Sequence, residues 1–127
     1  MDKIKSIVAE VQPDFIFHLA AQSLVRRSYQ NPLDTISTNA LGSASILEAV
    51  RDYIKPVVVV MITSDKAYDN VEWPWGYRET DRLGGKDPYS ASKGMAEIAI
   101  RSTGWAKELA YSKRSSFLRG GCGCRAG

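Results

Sequence analysis

Two short apolar segments, residues 15–20 and 57–62, constrain the fold of this chain more than any other feature. They are rich in aromatic or β-branched residues and almost continuously apolar, which predicts strands buried on both faces, as in parallel sheets. A helical pattern begins between them, at Pro32. Strand, helix and strand in this order predict a right-handed crossover onto a parallel sheet.

Two further helical patterns flank these strands. Residues 1–12 carry apolar side chains at helical spacing, and Pro13 ends the pattern. The last helix is predicted over residues 88–110, because Asp87 can cap it and Pro88 suits its first position. The order helix, strand, helix, strand, helix predicts an α/β fold with helices on both faces of a parallel sheet.

The irregular segments are of two kinds. Residues 26–31 are predicted to be a simple connection. Residues 68–86 form a much longer loop that contains Trp73, Trp75 and Tyr77, and loops of this length are more often functional than idle. These aromatic rings can line a pocket or merely cover the loop, and the sequence leaves both interpretations open.

Composition excludes several classes of protein. The chain has 127 residues, 44% hydrophobic and 24% charged, which indicates one globular domain. A net charge of +3 without a dense basic cluster argues against nucleic-acid binding. The longest apolar run, residues 56–62, is too short to span a membrane. Cys122 and Cys124 form neither a metal set nor a good disulfide pair, so we expect no metal and a reducing, cytoplasmic location.

Reactive side chains lie where the predicted strands end and the last helix begins. Ser64, Asp65 and Lys66 follow the second strand, and the carboxyl ends of such strands bind ligands in open α/β sheets. Tyr89 and Lys93 are four residues apart and share one face of the last helix. An ammonium group beside a phenol lowers the tyrosine pKa, so this pair is suited to general acid–base chemistry.

Each of these motifs also has a simpler interpretation. A tyrosine and a lysine four residues apart are common on solvated helix faces. The segment 64–66 can be a turn in which Asp65 bonds the backbone. His18, the only histidine, is more typical of a satisfied core residue than of a ligand. Gly84 and Gly85 are interpreted as turn residues.

Taken together, several segments resemble the extended short-chain dehydrogenase/reductases and, within them, the nucleotide-sugar 4,6-dehydratases. The resemblance covers residues 10–103 and depends on the order and spacing of the segments rather than on any one of them. The matching segments are residues 17–25, 38–42, 47–49, 63–68, 76–81 and 83–93.

The resemblance implies a Rossmann-type doubly wound sheet that holds NAD, and a nucleotide-diphosphate sugar as substrate. It implies contacts with the cofactor from seven residues: Leu19, Ala20, Ala21, Gln22, Asn39, Tyr89 and Lys93. It also implies contacts with the substrate from Ser64, Asp65 and Tyr89.

The implied reaction begins with oxidation at C4 of the hexose. Tyr89, as phenolate, takes the proton of the C4 hydroxyl, Lys93 lowers the Tyr89 pKa and bonds the nicotinamide ribose, and Ser64 holds the C4 oxygen. Water is then lost across C5 and C6, with Asp65 as the acid at the C6 hydroxyl. Hydride returns to C6 and leaves a 4-keto-6-deoxy sugar.

Lys66 is the most informative position for the substrate. Most 4,6-dehydratases of this family have a glutamate there as the base at C5, whereas a lysine resembles the members that act on CDP-glucose. We therefore expect CDP-glucose as the substrate and Lys66 as the base. Lys66 can instead simply pair with a phosphate or a carboxylate.

Two other functions stay open at this stage. One is a nucleotide-sugar epimerase, or a dehydratase acting on another nucleotide hexose. The pair Asp65-Lys66 argues for a dehydratase, because epimerases of this fold lack such an acid and base after the serine or threonine. The other is a non-catalytic remnant that serves as an interaction module.

The sequence also departs from the family pattern. It contains no G-x-G-x-x-G loop, and the family's N-terminal βαβ unit and C-terminal substrate domain have no counterpart in it. We interpret residues 1–112 as the central part of an NAD-binding domain and residues 113–127 as an irregular tail. This polypeptide alone is expected to bind NAD poorly and to be almost inactive, and the full-length protein to be a homodimer or larger.

Overall fold

The computed structural model describes residues 2–103. Helices and two short strands alternate along this part of the chain. The elements are α1 (Asp2–Val11), β1 (Phe15–His18), α2 (Val25–Gln30), α3 (Pro32–Ile36), a π-helical segment (Ser37–Leu41), α4 (Gly42–Val50), β2 (Val58–Met61), a 3₁₀ turn (Asp65–Ala67) and α5 (Pro88–Thr103).

The two strands form a parallel pair, as the sequence predicts. Their register runs from Phe15 opposite Val58 to His18 opposite Met61. Both strands therefore end at the same edge of the sheet, which brings the segments that follow them together. The α/β fold class predicted from the sequence is confirmed.

Only one face of this sheet is covered within residues 2–103. Ile16 and Val59 pack on a core formed by α1, the end of α4 and Val57. On the opposite face, Phe15 is 61% and Phe17 64% exposed. The prediction of burial on both faces is therefore wrong for the described residues. Side chains alternate across a strand, and the core contacts lie on one side only.

The crossover between the strands is more helical than predicted. The expected connection at residues 26–31 is instead the helix α2, which ends before Pro32. The helix that begins at Pro32 continues through the π segment, because Ser37 and Gly42 both keep right-handed helical dihedrals. Leu33 is 81% exposed. The residues buried in α3 and the π segment are Thr35, Asn39 and Ala40.

Helix α5 begins at Pro88, as predicted. Its expected end near residue 110, the predicted tail at residues 113–127, and both cysteines lie outside the described residues. The long loop before it is closed by an antiparallel bridge between Tyr68 and Leu83. None of the described helices is both long and apolar enough to cross a membrane.

Candidate active site

Tyr89 and Lys93 lie one turn apart in the first half of α5. Both are buried, with exposures of 8% and 6%. The Lys93 Nζ lies 6.0 Å from the centroid of the Tyr89 ring. The simpler interpretation, a solvated helix face, is therefore wrong for this pair.

Lys93 is a buried cation with no carboxylate oxygen within ion-pairing distance among the described residues. None of the ion pairs within residues 2–103 includes it. Burial lowers the pKa of Lys93, because removal from water disfavours the charged form. A ligand group with hydroxyl oxygens would compensate for this loss of hydration.

His18 differs from its prediction as a satisfied core residue. Its Nε2 is buried and has no hydrogen-bond partner among the described residues. Burial lowers the pKa of His18, and the positive charge of Lys93 lowers it further. Both effects favour the neutral imidazole.

Asp87 fixes the start of α5, as predicted. One carboxylate oxygen accepts the Ser90 N–H at 2.9 Å, and the other accepts the Ser90 hydroxyl at 2.6 Å. Partial burial acts to raise the pKa of Asp87, but bonds from Ser90 and Tyr89 and the charge of Lys66 outweigh it and lower the pKa. The charge of Lys66 thus reaches Asp87, although the two side chains form no ion pair among the described residues.

Ser64, Asp65 and Lys66 form a compact turn at the end of β2. The Ser64 hydroxyl accepts the Lys66 N–H at 3.2 Å and donates to Asp65 Oδ1 at 3.0 Å. Asp65 Oδ1 also accepts the Lys66 N–H at 2.9 Å. The simpler interpretation, a side-chain-stabilised turn, thus describes the local structure correctly. The Asp65 and Lys66 side chains are nevertheless exposed, so the turn leaves them accessible to a ligand.

This turn packs closely against α5. A Cβ on Gly94 would lie 3.3 Å from the Ala67 carbonyl oxygen, which is tighter than most such contacts, and Ala67 is fully buried. The same carbonyl accepts the Gly84 N–H at 2.9 Å. The segment that carries Ser64 and the helix that carries Tyr89 are therefore neighbours.

Gly85 allows the loop to lie on the first turn of α5. A Cβ at this position would collide with the Ser90 side chain and with the Ala91 backbone nitrogen, which would be 2.5 Å away. Sequence interpretation assigned Gly85 only to a turn. Its φ is not positive, so the requirement for glycine comes from space and not from backbone conformation.

The exit of β1 presents small residues and one buried amide. Leu19, Ala20 and Ala21 are exposed, whereas Gln22 is 8% exposed. The Gln22 N–H donates to Asn39 Oδ1 at 2.8 Å, and Asn39 Nδ2 donates to the Gln22 carbonyl at 3.0 Å. This reciprocal pair attaches the β1 exit to the crossover helix.

The side-chain amide of Asn39 also reaches α5. Asn39 Nδ2 also donates to Ser92 Oγ at 2.8 Å, and Ser92 Oγ donates to the Tyr89 carbonyl at 2.6 Å. Gln22 Nε2 donates to Thr35 Oγ1 at 2.9 Å. These residues form a buried polar network that joins the β1 exit, the crossover helix and α5. Ser92 was not predicted as a site residue, although it directly precedes Lys93.

The aromatic residues of the long loop mostly contact one another. Tyr68 and Tyr77 stack with centroids 5.2 Å apart, and Trp73 and Trp75 stack at 5.3 Å. The Tyr77 hydroxyl donates to Asn70 Oδ1 at 2.9 Å. These contacts favour the interpretation that the rings cover the loop.

One further contact was missed by sequence reasoning. The Thr63 hydroxyl donates to Glu97 Oε1 and so joins the residue before Ser64 to α5. Glu97 lies four residues after Lys93, the same spacing that links Tyr89 to Lys93. That spacing places Glu97 on the same face of α5, but it does not signal a contact with Thr63, which lies 34 residues earlier in the chain.

Two parallel strands linked by a helical crossover, with reactive side chains beyond their carboxyl ends, define a Rossmann-type α/β protein. Residues 1–118 match the GDP-mannose 4,6 dehydratase family, and the chain belongs to that family.

Curated relatives agree with this assignment. The chain is 53% identical to CDP-glucose 4,6-dehydratase of Salmonella typhimurium over 97 residues, which cover 76% of this chain and 27% of that protein. It is 32% identical to dTDP-glucose 4,6-dehydratase of Xanthomonas campestris over 107 residues, covering 78% of this chain and 30% of that protein.

A solved structure has the same fold. The dTDP-glucose 4,6-dehydratase DesIV of Streptomyces venezuelae, a double mutant solved with NAD and DAU bound, superposes with a TM-score of 0.72 at 25% identity. The match covers 83% of this chain and 33% of DesIV. The chain thus spans between a quarter and a third of the length of these relatives.

Proposed function

We propose that the protein is an NAD-dependent CDP-glucose 4,6-dehydratase that forms CDP-4-keto-6-deoxyglucose. The observation that carries the proposal is the contact of the Ser64–Lys66 turn with the helix that bears Tyr89 and Lys93. The 53% identity to a CDP-glucose 4,6-dehydratase supports the choice of substrate. We also propose a cytoplasmic homodimer or larger oligomer for the full-length protein.

The residues at the sheet edge fit a dinucleotide cofactor. Leu19, Ala20 and Ala21 leave the end of β1 open, and Lys93 offers a buried ammonium that no described carboxylate neutralises. Lys93 would bond the hydroxyls of the nicotinamide ribose. When bound, NAD supplies the acceptor for the hydride that leaves C4 and later returns to C6. Because the sequence has no G-x-G-x-x-G loop, we propose that these 127 residues alone bind NAD weakly.

Tyr89 and Ser64 act at the C4 oxygen in this proposal. Tyr89, as phenolate, accepts the proton of the C4 hydroxyl, and the Lys93 ammonium lies one helical turn away, 6.0 Å from the centroid of its ring. Ser64 donates its hydroxyl to the C4 oxygen after giving up its bond to Asp65. Gln22 and Asn39 act indirectly, since their side-chain amides are bonded to protein groups that hold the β1 exit in place.

Asp65 and Lys66 carry out the elimination. The new 4-keto group acidifies the C5 proton, which Lys66 removes, while Asp65 protonates the departing C6 hydroxyl. Both side chains are exposed at the turn and therefore accessible to a sugar. If Lys66 only paired with Asp87 or with a phosphate, its removal would weaken binding without blocking elimination.

The test uses the full-length protein with NAD and CDP-glucose, and it measures the 4-keto product. Other nucleotide hexoses, including dTDP-glucose, are assayed separately as alternative substrates. Formation of product from CDP-glucose at the highest kcat/KM is expected. No product from any nucleotide hexose would overturn the dehydratase assignment, and preference for another base would overturn the substrate.

The variant Lys66→Ala separates the two roles of the lysine. We expect it to oxidise C4, seen as absorbance of the reduced cofactor, while product formation falls by about 100-fold or more, the typical contribution of a general base. The matched control is Lys86→Ala, which removes an exposed lysine from the loop before α5. Unchanged product formation in Lys66→Ala would contradict the base role.

A further inference from the structure

We propose that Glu97 is a positioning residue that acts through Thr63 to hold the Ser64–Lys66 turn in register with Tyr89. This inference rests on the proposed function, because its kinetic consequence needs the reaction at C4. Glu97 itself does not contact the reacting atoms in this proposal.

The contact joins the two halves of the site. Thr63 lies between the end of β2 and Ser64, and Glu97 lies 34 residues further along the chain, in α5. The Thr63 hydroxyl donates to the Glu97 carboxylate in a partly buried setting. A hydrogen bond to a charged acceptor is stronger than one between neutral groups and fixes direction as well as distance.

This bond complements the packing of Gly94 on Ala67. The Gly94 contact lies at the Ala67 end of the turn and limits how closely the turn approaches α5. The Thr63–Glu97 bond adds a second attachment on the other side of Ser64. Two attachments to one rigid helix determine the orientation of the turn as well as its distance.

Glu97 also has an evident competing partner. It lies four residues from Lys93, where opposite charges on a helix commonly pair. No ion pair between them forms in the described residues. The carboxylate is engaged by Thr63 instead, which leaves the Lys93 ammonium available to Tyr89 and a ligand.

The first test measures how firmly the turn is held in place and needs no turnover. The Ala67 and Tyr68 amides donate within the turn, to the Ser64 and Asp65 carbonyls at 3.0 and 3.1 Å. In full-length Thr63→Val, which is similar in shape but lacks the hydroxyl, we expect both amides to exchange hydrogen about tenfold faster or more, because a charge-assisted bond is lost. Thr63→Ser should restore the native exchange rate.

The second test is kinetic. Thr63→Val and Glu97→Ala should each lower kcat by about 10- to 100-fold with KM within twofold, since misplacing a catalytic group acts on the transition state. Thr63→Ser and Glu97→Gln, which keep a donor and an acceptor, should retain most of kcat. The matched control is Arg101→Gln, which removes a bond from the same helix to the Glu79 carbonyl, and it should leave kcat within twofold.

The outcomes separate this inference from the proposed function. If the wild-type protein forms no product, the proposed function is wrong, and amide exchange still decides whether the bond orients the turn. If Thr63→Val exchanges like the wild type, the positioning role is wrong whatever the kinetics. The positioning role would also be wrong if Thr63→Val and Thr63→Ser lowered kcat equally. It would be wrong as well if the variants raised KM and left kcat unchanged.

Discussion

At the residue scale, the most unusual feature is a pair of basic side chains in one buried region. Lys93 is 6% exposed, and His18 places an unpartnered Nε2 nearby. Two adjacent positive charges in a poorly hydrated setting repel each other, so burial and the charge of Lys93 both favour the neutral form of His18. His18 is thus an uncharged basic side chain beside Lys93.

The lowered pKa of His18 makes stability depend on pH in a definite direction. In the unfolded chain, His18 binds a proton near its ordinary value of 6.5, whereas in the folded chain it does so only at lower pH. As pH falls through 6.5, protons bind preferentially to the unfolded state, so the free energy of unfolding decreases. The expected result is a lower unfolding midpoint at pH values below 6.5 than above it.

In a polypeptide of these 127 residues the prediction can be checked directly, because this sequence has one histidine. The imidazole resonance in a proton NMR titration should give a pKa below 6.5. The variant His18→Gln should lose the pH dependence of the unfolding midpoint in this window. A pKa at or above the ordinary value would contradict the account.

At the element scale, the site depends on how closely α5 approaches the turn after β2. Gly94 faces the Ala67 carbonyl, and Gly85 lies on the first turn of the helix. Neither glycine has a side chain that could react. Together they allow backbone-to-backbone contact where a side chain would separate Tyr89 from Ser64.

Substitution of Gly94 should therefore depend on side-chain size. In Gly94→Ala, a gain in helix propensity of up to about 1 kcal/mol offsets the tight contact with the Ala67 oxygen, so the free energy of unfolding should change little. Gly94→Val adds methyl groups to the same contact and a β-branched residue to the helix, and should destabilise by about 2 kcal/mol. Chemical denaturation of the full-length protein measures both. A smaller loss for valine than for alanine would contradict the packing account.

The elements also show what a sequence can and cannot predict. The strands, the parallel pairing and the start of α5 follow from local patterns: β-branched runs, a crossover helix, and Asp87-Pro88. The helix α2 was missed because its six residues form too weak a periodic pattern. The Thr63–Glu97 bond was missed because it joins residues 34 apart, and no local pattern encodes such a distance.

Within the site, residue types were more predictable than their surroundings. Tyr89 and Lys93 could be assigned to one face from their spacing. The burial of Lys93 and the unpartnered His18 nitrogen could not, because both depend on how α5 lies on the sheet. The contact of Asn39 with the cofactor stays a prediction, and the bonds of its side-chain amide to Gln22 and Ser92 could not be predicted from local sequence.

At the scale of the whole molecule, the described residues leave one sheet face and one strand edge open. Phe15, Phe17 and Val58 are exposed on that face, and β1 has β2 as its only described neighbour in the sheet. Contiguous apolar surface and unpaired strand edges both promote association. A polypeptide of these 127 residues should therefore self-associate.

Removing the two phenylalanines should reduce this association. We expect the double variant Phe15→Thr, Phe17→Thr to raise the dissociation constant by about tenfold or more, because less apolar surface becomes buried. The control is Leu33→Gln, which removes an even more exposed apolar side chain from α3. Light scattering over a concentration series measures both. Equal behaviour of the two variants would show that the sheet face is not the contact.

The buried amide of Asn39 has a consequence for the order of folding. It joins Gln22, 17 residues earlier in the chain, to Ser92, 53 residues later. Such contacts carry a loop-closure penalty and slow the search for the native topology. The network cannot close until the crossover helix and α5 have both docked. We therefore expect the region around Tyr89 and Lys93 to be among the last parts of the molecule to assemble.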